Sequence, residues 1–330
     1  MECRLDCYGT TPTLTAMLRQ AILLVLFFAT VATVYVLAVG ILVRRWAAWH
    51  PGTPRSETPA RRWFNRLVLI LATAGTLCIA YGWLIEPFWP KITHRRMVFP
   101  SLKGANRPIR LIHLSDFHCD ARPRLEERLP GLVASLHPDL IVVTGDFTNS
   151  KRGVPVAQHS LRQLAKLTPV FVVRGNWDND DYSASLFDGT GVQEPTVTPA
   201  CLPVAGTKVW VASVEMGEEW RIAKLADKVP AGEFFLLLHH TPDVMLEPLP
   251  PGRIHLVCAG HTHGGQVCLP WYGAVTTLSR THKRFEGGLY RMDDIWLNVN
   301  RGLGMDGDWA PRVRFGSRPE ITLLELAPTP

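Results

Sequence analysis

The stretch Ile109-Arg110-Leu111-Ile112-His113-Leu114-Ser115-Asp116-Phe117-His118 decides how the rest of the chain is read. A β-rich apolar run breaks off into a carboxylate and an imidazole, and the same grammar recurs four more times. Leu140 to Val143 leads to Gly145-Asp146, and Val170 to Val173 leads to Gly175-Asn176. Phe234 to Leu238 leads to His239-His240-Thr241-Pro242, and Ile254 to Cys258 leads to Gly260-His261-Thr262-His263. Further runs at Val209 to Val214, Ile295 to Val299 and Ile321 to Leu326 alternate with amphipathic stretches at Leu125 to Leu136, Val156 to Leu167 and Glu218 to Val229. Short buried strands separated by helical stretches predict an α/β domain.

Spacing then argues for convergence. Asp116, Asp146 and Asn176 are each 30 residues apart, about one β-α-β unit, so they fall at equivalent strand ends. Ligands of open α/β sheets collect beyond those carboxyl ends. Asp-x-His, Gly-Asp or a lone His occurs by chance, and each is more often a turn or a packed residue than a ligand. Five in order, each directly after an apolar strand, point to a metal site. Carboxylate, amide and imidazole donors without thiolate suit Mn²⁺, Fe or Zn²⁺.

The series Asp116/His118, Gly145-Asp146, Gly175-Asn176, His240, Gly260-His261-Thr262-His263 resembles the calcineurin-like metallophosphoesterases over about Ile109 to Leu326. Gly264-Gly265-Gln266-Val267, Leu269-Pro270, Gly287-Gly288-Leu289-Tyr290, Asn300-Arg301-Gly302-Leu303-Gly304 and Arg318-Pro319-Glu320-Ile321 are similar to a bacterial, membrane-associated branch. The resemblance implies two β-sheets sandwiched between helices and two divalent metal ions, most readily Mn²⁺. Asp116, His118, Asp146 and His263 would hold one ion, and Asp146, Asn176, His240 and His261 the other, with Asp146 bridging. Strand alternation alone leaves His239 and His240 open, and the family's His-x-Pro pattern selects His240. Asp146, Asn176, Asp178 and His261 are the implied catalytic residues. The implied reaction is in-line attack on phosphorus by a hydroxide bridging the ions.

One position departs from the family. Where it usually has Gly-Asn-His-Asp, this chain has Gly175-Asn176-Trp177-Asp178, and an indole donates a hydrogen bond but is no general acid near neutral pH. Bacterial UDP-2,3-diacylglucosamine hydrolases of the superfamily similarly replace that His, with Arg. The expectation is a phosphodiester or pyrophosphate substrate, lipid- or nucleotide-linked, whose leaving group departs without a proton. Rival readings are a phosphomonoesterase or protein phosphatase, and a non-catalytic membrane scaffold on a degenerate domain. Arg174, Arg280, Lys283 and Arg284 are candidates to neutralise substrate phosphates, and Trp177, Tyr182, Trp271 and Tyr272 to border an apolar groove; solvated or packed roles compete for each.

The N-terminal quarter is different in kind. Ala21 to Val43 carries no charge and would span about 34 Å as a helix, enough for a bilayer core. It is longer than a signal-peptide core. Leu67 to Ile85 is a second uncharged run, flanked by Trp83, Phe88 and Trp89, and Ala72, Thr76 and Ala80 recur every fourth position to admit a close helix neighbour. A buried soluble helix is the competing reading. The expected organisation is a tail (1–20), a membrane helix (21–43), a basic connector (44–66), a second helix with its interfacial segment (67–89), a linker (90–108) and the catalytic domain (109–330). By the positive-inside rule the six Arg residues of the connector favour a cytoplasmic connector and an outward catalytic domain after two crossings, while Arg4, Arg19, Lys91, Arg95 and Arg96 on the other side weaken the asymmetry; the resemblance implies a bacterial inner membrane.

Composition agrees. Of a net charge of +6, residues 1–90 contribute 8 Lys+Arg against 4 Asp+Glu, so the catalytic region is near neutral and no nucleic acid partner is expected. Seven Cys without a C-x-x-C pair indicate neither a disulfide framework nor a zinc knuckle.

Overall fold

The computed structural model describes residues 14–49, 57–178, 185–306 and 312–329. The chain divides into a helical unit, Thr10–Ile85, and a larger unit that includes Glu86–Pro330.

The helical unit holds α1 (Leu14–Ala47) and α2 (Pro59–Leu84). Thr58 caps α2 by accepting from the Arg61 N–H, and Pro59 opens its first turn. Ala38, Ile41, Val68 and Ala72 form a small buried seam. The four-residue spacing has its expected use: the Tyr35 hydroxyl reaches Thr76 Oγ1 at 3.0 Å, and a side chain on Gly75 would meet that hydroxyl. Most other large apolar residues, among them Val36, Val39, Leu42, Ile70, Leu77 and Ile79, face outward. The stretches Val25–Ala47 and Pro59–Phe88 are long and apolar enough to cross a membrane, with mean hydropathy of 2.5 and 2.0. Both helices run further into the basic connector than expected, because Arg44, Arg45, Arg61, Arg62 and Arg66 are all good helix formers.

The larger unit contains strands β1 (Lys91–Phe99), β2 (Ile109–Leu114), β3 (Leu140–Thr144), β4 (Val170–Val173), β5 (Ala200–Val204), β6 (Thr207–Val214), β7 (Phe234–His239), β8 (Leu256–Ala259), β9 (Cys268–Leu269), β10 (Gly273–Ala274), β11 (Gly288–Met292), β12 (Ile295–Val299) and β13 (Glu320–Pro328). Its helices are α3 (Leu129–Ala134), α4 (Val154–Ala165) and α5 (Ile222–Asp227). Sheet order is β1-β13-β2-β3-β4 in one sheet and β11-β12-β8-β7-β6-β5 in the other, with β9 and β10 as a separate hairpin.

Period-2 alternation builds the layers. Leu111, Leu140, Val142, Phe234, Leu236 and Leu238 meet between the two sheets. Their neighbours Ile112, Ile141 and Val143 pack outward on α3 and α4, through Val133, Leu161 and Leu164. Phe235 and Leu237 pack outward on α5, through Ile222 and Leu225. This is the expected sandwich of two sheets between helices, and because β2-β3-β4 and β6-β7-β8-β12 run parallel, their carboxyl ends gather the loops that follow.

Several boundaries differ in this unit, among them the helix expected over Glu218 to Val229, which shortens to α5, Ile222–Asp227. Residues 90–108 are no linker: β1 pairs in parallel with β13 from Lys91↔Glu320 to Phe99↔Pro328, and Met97, Phe99 and Leu102 enter the core. The helix expected over Leu125 to Leu136 shrinks to six residues with Pro130 in its first turn, since proline is accepted there but not further in.

Candidate metal centre

Each strand that ends in a polar motif delivers it to one place. Asp116 and His118 follow β2, Asp146 follows β3, Asn176 follows β4, His240 follows β7, and His261 and His263 follow β8. To turn inward, Asp116, His118, Asp146, His261 and His263 all adopt left-handed backbone, with φ of 48°, 43°, 53°, 67° and 52°. Such residues cost about 1–3 kcal/mol each and cluster at functional sites. Glycine makes the approach possible: a Cβ on Gly260 would collide with the Ser115 hydroxyl and the Asp116 carboxylate, and one on Gly175 with the Asp146 carboxylate.

Two donor clusters result. Donor atoms of Asp116, His118, Asp146 and His263 lie within 4.8 Å of one another, as do those of Asp146, His240 and His261. Asp146 belongs to both. Its Oδ2 is 3.5 Å from His118 Nε2 and 3.2 Å from His240 Nε2, while its Oδ1 accepts the Trp177 N–H at 2.9 Å. Asn176 Oδ1 lies 3.1 Å from His240 Nε2.

The outward ring nitrogens decide which lone pairs face inward. His118 Nδ1 donates to Asn149 Oδ1 at 2.8 Å, His240 Nδ1 to the Thr144 carbonyl at 2.7 Å, and His261 Nε2 to the Leu278 carbonyl at 3.4 Å. Each ring therefore turns a bare nitrogen toward the cluster. His118 Nε2 and His263 Nε2 are 3.2 Å apart, and His261 Nδ1 and His240 Nε2 are also 3.2 Å apart. Bare nitrogens on His118, His240 and His261 fit cations, and the outer hydrogen bonds of these three imidazoles are what metal-binding histidines have; His263 differs, because Arg314 can only donate to its Nδ1, which leaves the neutral ring's proton on Nε2. Burial pushes the carboxyls of Asp116 and Asp146 up to about 7 and holds His118 and His263 well below their ordinary value. Positive charge between these groups would relieve that penalty.

Residues 109–265 match the family model for calcineurin-like phosphoesterases. The chain carries a calcineurin-like phosphoesterase domain. Its relatives are metallophosphoesterases. It is 28% identical to the metallophosphoesterase YkuE of Bacillus subtilis, covering 82% of this chain and 98% of that one. It is 27% identical to the phosphodiesterase YaeI of Escherichia coli (79% and 99%) and 26% identical to the UDP-2,3-diacylglucosamine pyrophosphatase LpxG of Chlamydia trachomatis (78% and 95%). The domain is thus that of a metal-dependent hydrolase of phosphoric esters or pyrophosphates, with a buried Asp/His cluster suited to two ions.

Several residues of the phosphoesterase domain take other places than expected. Asp178 does not line the clusters. Its buried carboxylate accepts the backbone N–H groups of Asp146 at 2.7 Å, Phe147 at 2.9 Å and Gly175 at 2.8 Å, so it ties together the loops that follow β3 and β4. His239 turns away, with Nε2 3.3 Å from Glu219. Arg174 pairs with Glu194 and lies over Phe187, and Lys283 pairs with Glu286 and lies over Tyr272. Trp177 sets its indole edge-on to His118, with ring centroids 5.8 Å apart. Tyr182 lies outside the described residues, and Trp271 and Tyr272 sit at a hairpin tip.

The sequence reading missed Asn149, the Thr144 carbonyl and Arg314. Arg314 is fully buried and donates to the carbonyls of Gly304, Ser317 and Arg301, with Nη2 3.3 Å from His263 Nδ1. Ser317 Oγ donates to the His263 carbonyl, and the buried Glu86 carboxylate accepts the N–H groups of Gly316 and Ser317. Only Asn149, three residues beyond Asp146, had a local signal.

Proposed function

We propose that the chain is a membrane-anchored dimetal phosphoesterase that cleaves a phosphodiester or pyrophosphate bond of a lipid- or nucleotide-linked substrate. Asp116, His118, Asp146 and His263 hold one divalent ion, and Asp146, Asn176, His240 and His261 the second; this mixture of carboxylate, amide and imidazole donors without thiolate suits Mn²⁺, Fe or Zn²⁺, of which Mn²⁺ is the ion the family resemblance implies. The observation that carries this reading is Asp146 in both clusters, one oxygen turned to His118 and His240 and the other tied to the Trp177 backbone. When bound, the ions supply Lewis acidity to the phosphoryl oxygens and lower the pKa of a water. The chain's own residues hold that arrangement: Asp178 fixes the loops of Asp146 and Gly175, and Asn149, Thr144 and Leu278 fix the imidazole tautomers.

Trp177 supports the choice of bond. It stands where the family has a proton donor, so leaving groups that depart as stable anions are favoured. The pyrophosphatase among the relatives points the same way, and a UDP-2,3-diacylglucosamine-like molecule is the substrate class of choice. The α1–α2 unit is the anchor, in a bacterial inner membrane, with the arginine-rich connector cytoplasmic and the phosphoesterase domain outward; reporter fusions at Gly52 and Pro330 test that topology, and a cytoplasmic signal from Pro330 reverses it. The function is tested with purified full-length chain and Mn²⁺ on bis(p-nitrophenyl) phosphate, p-nitrophenyl phosphate and a nucleotide diphosphate sugar. Metal-dependent turnover of the first and third over the second is expected. Preference for the monoester would make the chain a phosphomonoesterase, and no turnover of any would make it a scaffold.

A further inference from the structure

The β9–β10 hairpin presents Pro270-Trp271-Tyr272 at its tip, and the Trp271 side chain is fully exposed. Trp271 has φ of 62°, a conformation unfavourable for a bulky residue, and here it buries nothing. Lys283 Nζ donates to the carbonyls of Tyr272 at 2.9 Å and Ala274 at 2.8 Å, so the hairpin and the loop Leu278–Arg284 form one protrusion. That loop adds an exposed Leu278, whose carbonyl meets His261, and the exposed guanidinium groups of Arg284 and of Arg280, the latter 3.8 Å from the Glu247 carboxylate. Aromatic and aliphatic side chains surrounded by cations are the composition of a surface that seats in the headgroup region of an anionic bilayer.

Connectivity brings this protrusion to the start of the unit. Cys268 N–H donates to the Phe315 carbonyl at 2.7 Å, and the next two residues, Gly316 and Ser317, are held by Glu86. Glu86 follows the last residue of α2 by two positions, and the exposed Phe88 and Trp89 come two and three residues after it, Trp89 beneath the Arg318 guanidinium at 3.9 Å. Trp271 is three residues beyond Cys268, a reach of about 10 Å in extended chain.

We propose that the Trp271 hairpin, with Leu278, Arg280 and Arg284, is a foot that enters the bilayer interface and holds the metal centre against lipid-borne substrate. This rests on the anchor reading of α1 and α2. The test uses full-length chain reconstituted in phosphatidylcholine vesicles, with and without phosphatidylglycerol, and reads the difference in tryptophan emission between wild type and Trp271→Phe. The expected result is loss of that difference emission when the acyl chains are brominated, no quenching by aqueous iodide, and a larger bromine effect with phosphatidylglycerol that Arg280→Gln with Arg284→Gln removes. Difference emission open to iodide overturns the proposal, and emission shielded from both quenchers also overturns it, since a protein surface then covers the hairpin. Vesicle flotation separates the two claims: chain that does not float defeats the anchor and the foot together, whereas chain that floats with Trp271 open to iodide defeats the foot alone.

Discussion

The Trp177 backbone N–H holds Oδ1 of Asp146 at 2.9 Å, while the Trp177 indole stands edge-on to His118. One residue thus orients the carboxylate common to both clusters and also sets its side chain at the position where the sequence resemblance implies a proton donor. Its backbone contribution survives substitution and its side-chain contribution does not. Trp177→His is therefore expected to raise turnover of diesters with poor, alkyl leaving groups by about ten- to ten-thousandfold, the range for general acid catalysis, and to change activated aryl esters little. Rates over a leaving-group series for both proteins check this. A flat dependence in the wild type would mean that another residue supplies the proton.

Asp178→Asn keeps the volume but sets an amide N–H₂ against backbone N–H groups where a carboxylate accepted three. Hydrogen bonds to a charged group contribute about 1.5–3 kcal/mol, so a loss of that order in unfolding free energy is expected, with weakened rather than abolished metal binding. Denaturant unfolding and a metal titration measure the two effects.

Two glycines form an opposed pair. Gly260→Ala places a methyl against Ser115 and Asp116 and is expected to remove metal binding and activity, whereas Gly131→Ala, in helix α3 with nothing within 4 Å, is expected to stabilise by about 0.5–1 kcal/mol. Metal content and thermal unfolding of both variants decide.

Burial sets a pH dependence. Asp116, Asp146 and Asp178 are pushed up to about 7 in the folded chain, against about 3.9 when unfolded. Between those values the folded state keeps protons that the unfolded state has released, so stability of the chelated protein falls as pH rises through that window. Divalent ions compete with the same protons, so their binding strengthens as pH rises through about 7. Thermal unfolding with chelator and with Mn²⁺, at about pH 5 and about pH 8, should show opposite orders.

The strands that lead to the clustered Asp and His side chains were legible because their runs are buried on both faces and end in abrupt polar motifs. β1 was not, because Lys91-Ile92-Thr93-His94-Arg95-Arg96 is an edge strand with most side chains in solvent, and its partner β13 lies more than 200 residues away. The donor residues were likewise legible by type and spacing. Their supports were not: a backbone carbonyl such as that of Thr144 has no sequence signature, and Arg314 meets His263 only through tertiary folding. Asp178 was seen in its motif, but its three amide partners come from backbone that no side-chain pattern records.

Asp146 offers its carboxylate to both donor clusters. The most direct measurement is metal content of full-length wild type and Asp146→Asn after reconstitution with Mn²⁺. Two ions per chain in the wild type and loss of both in the variant are expected; a wild type that binds none, or a variant that keeps two, would contradict it.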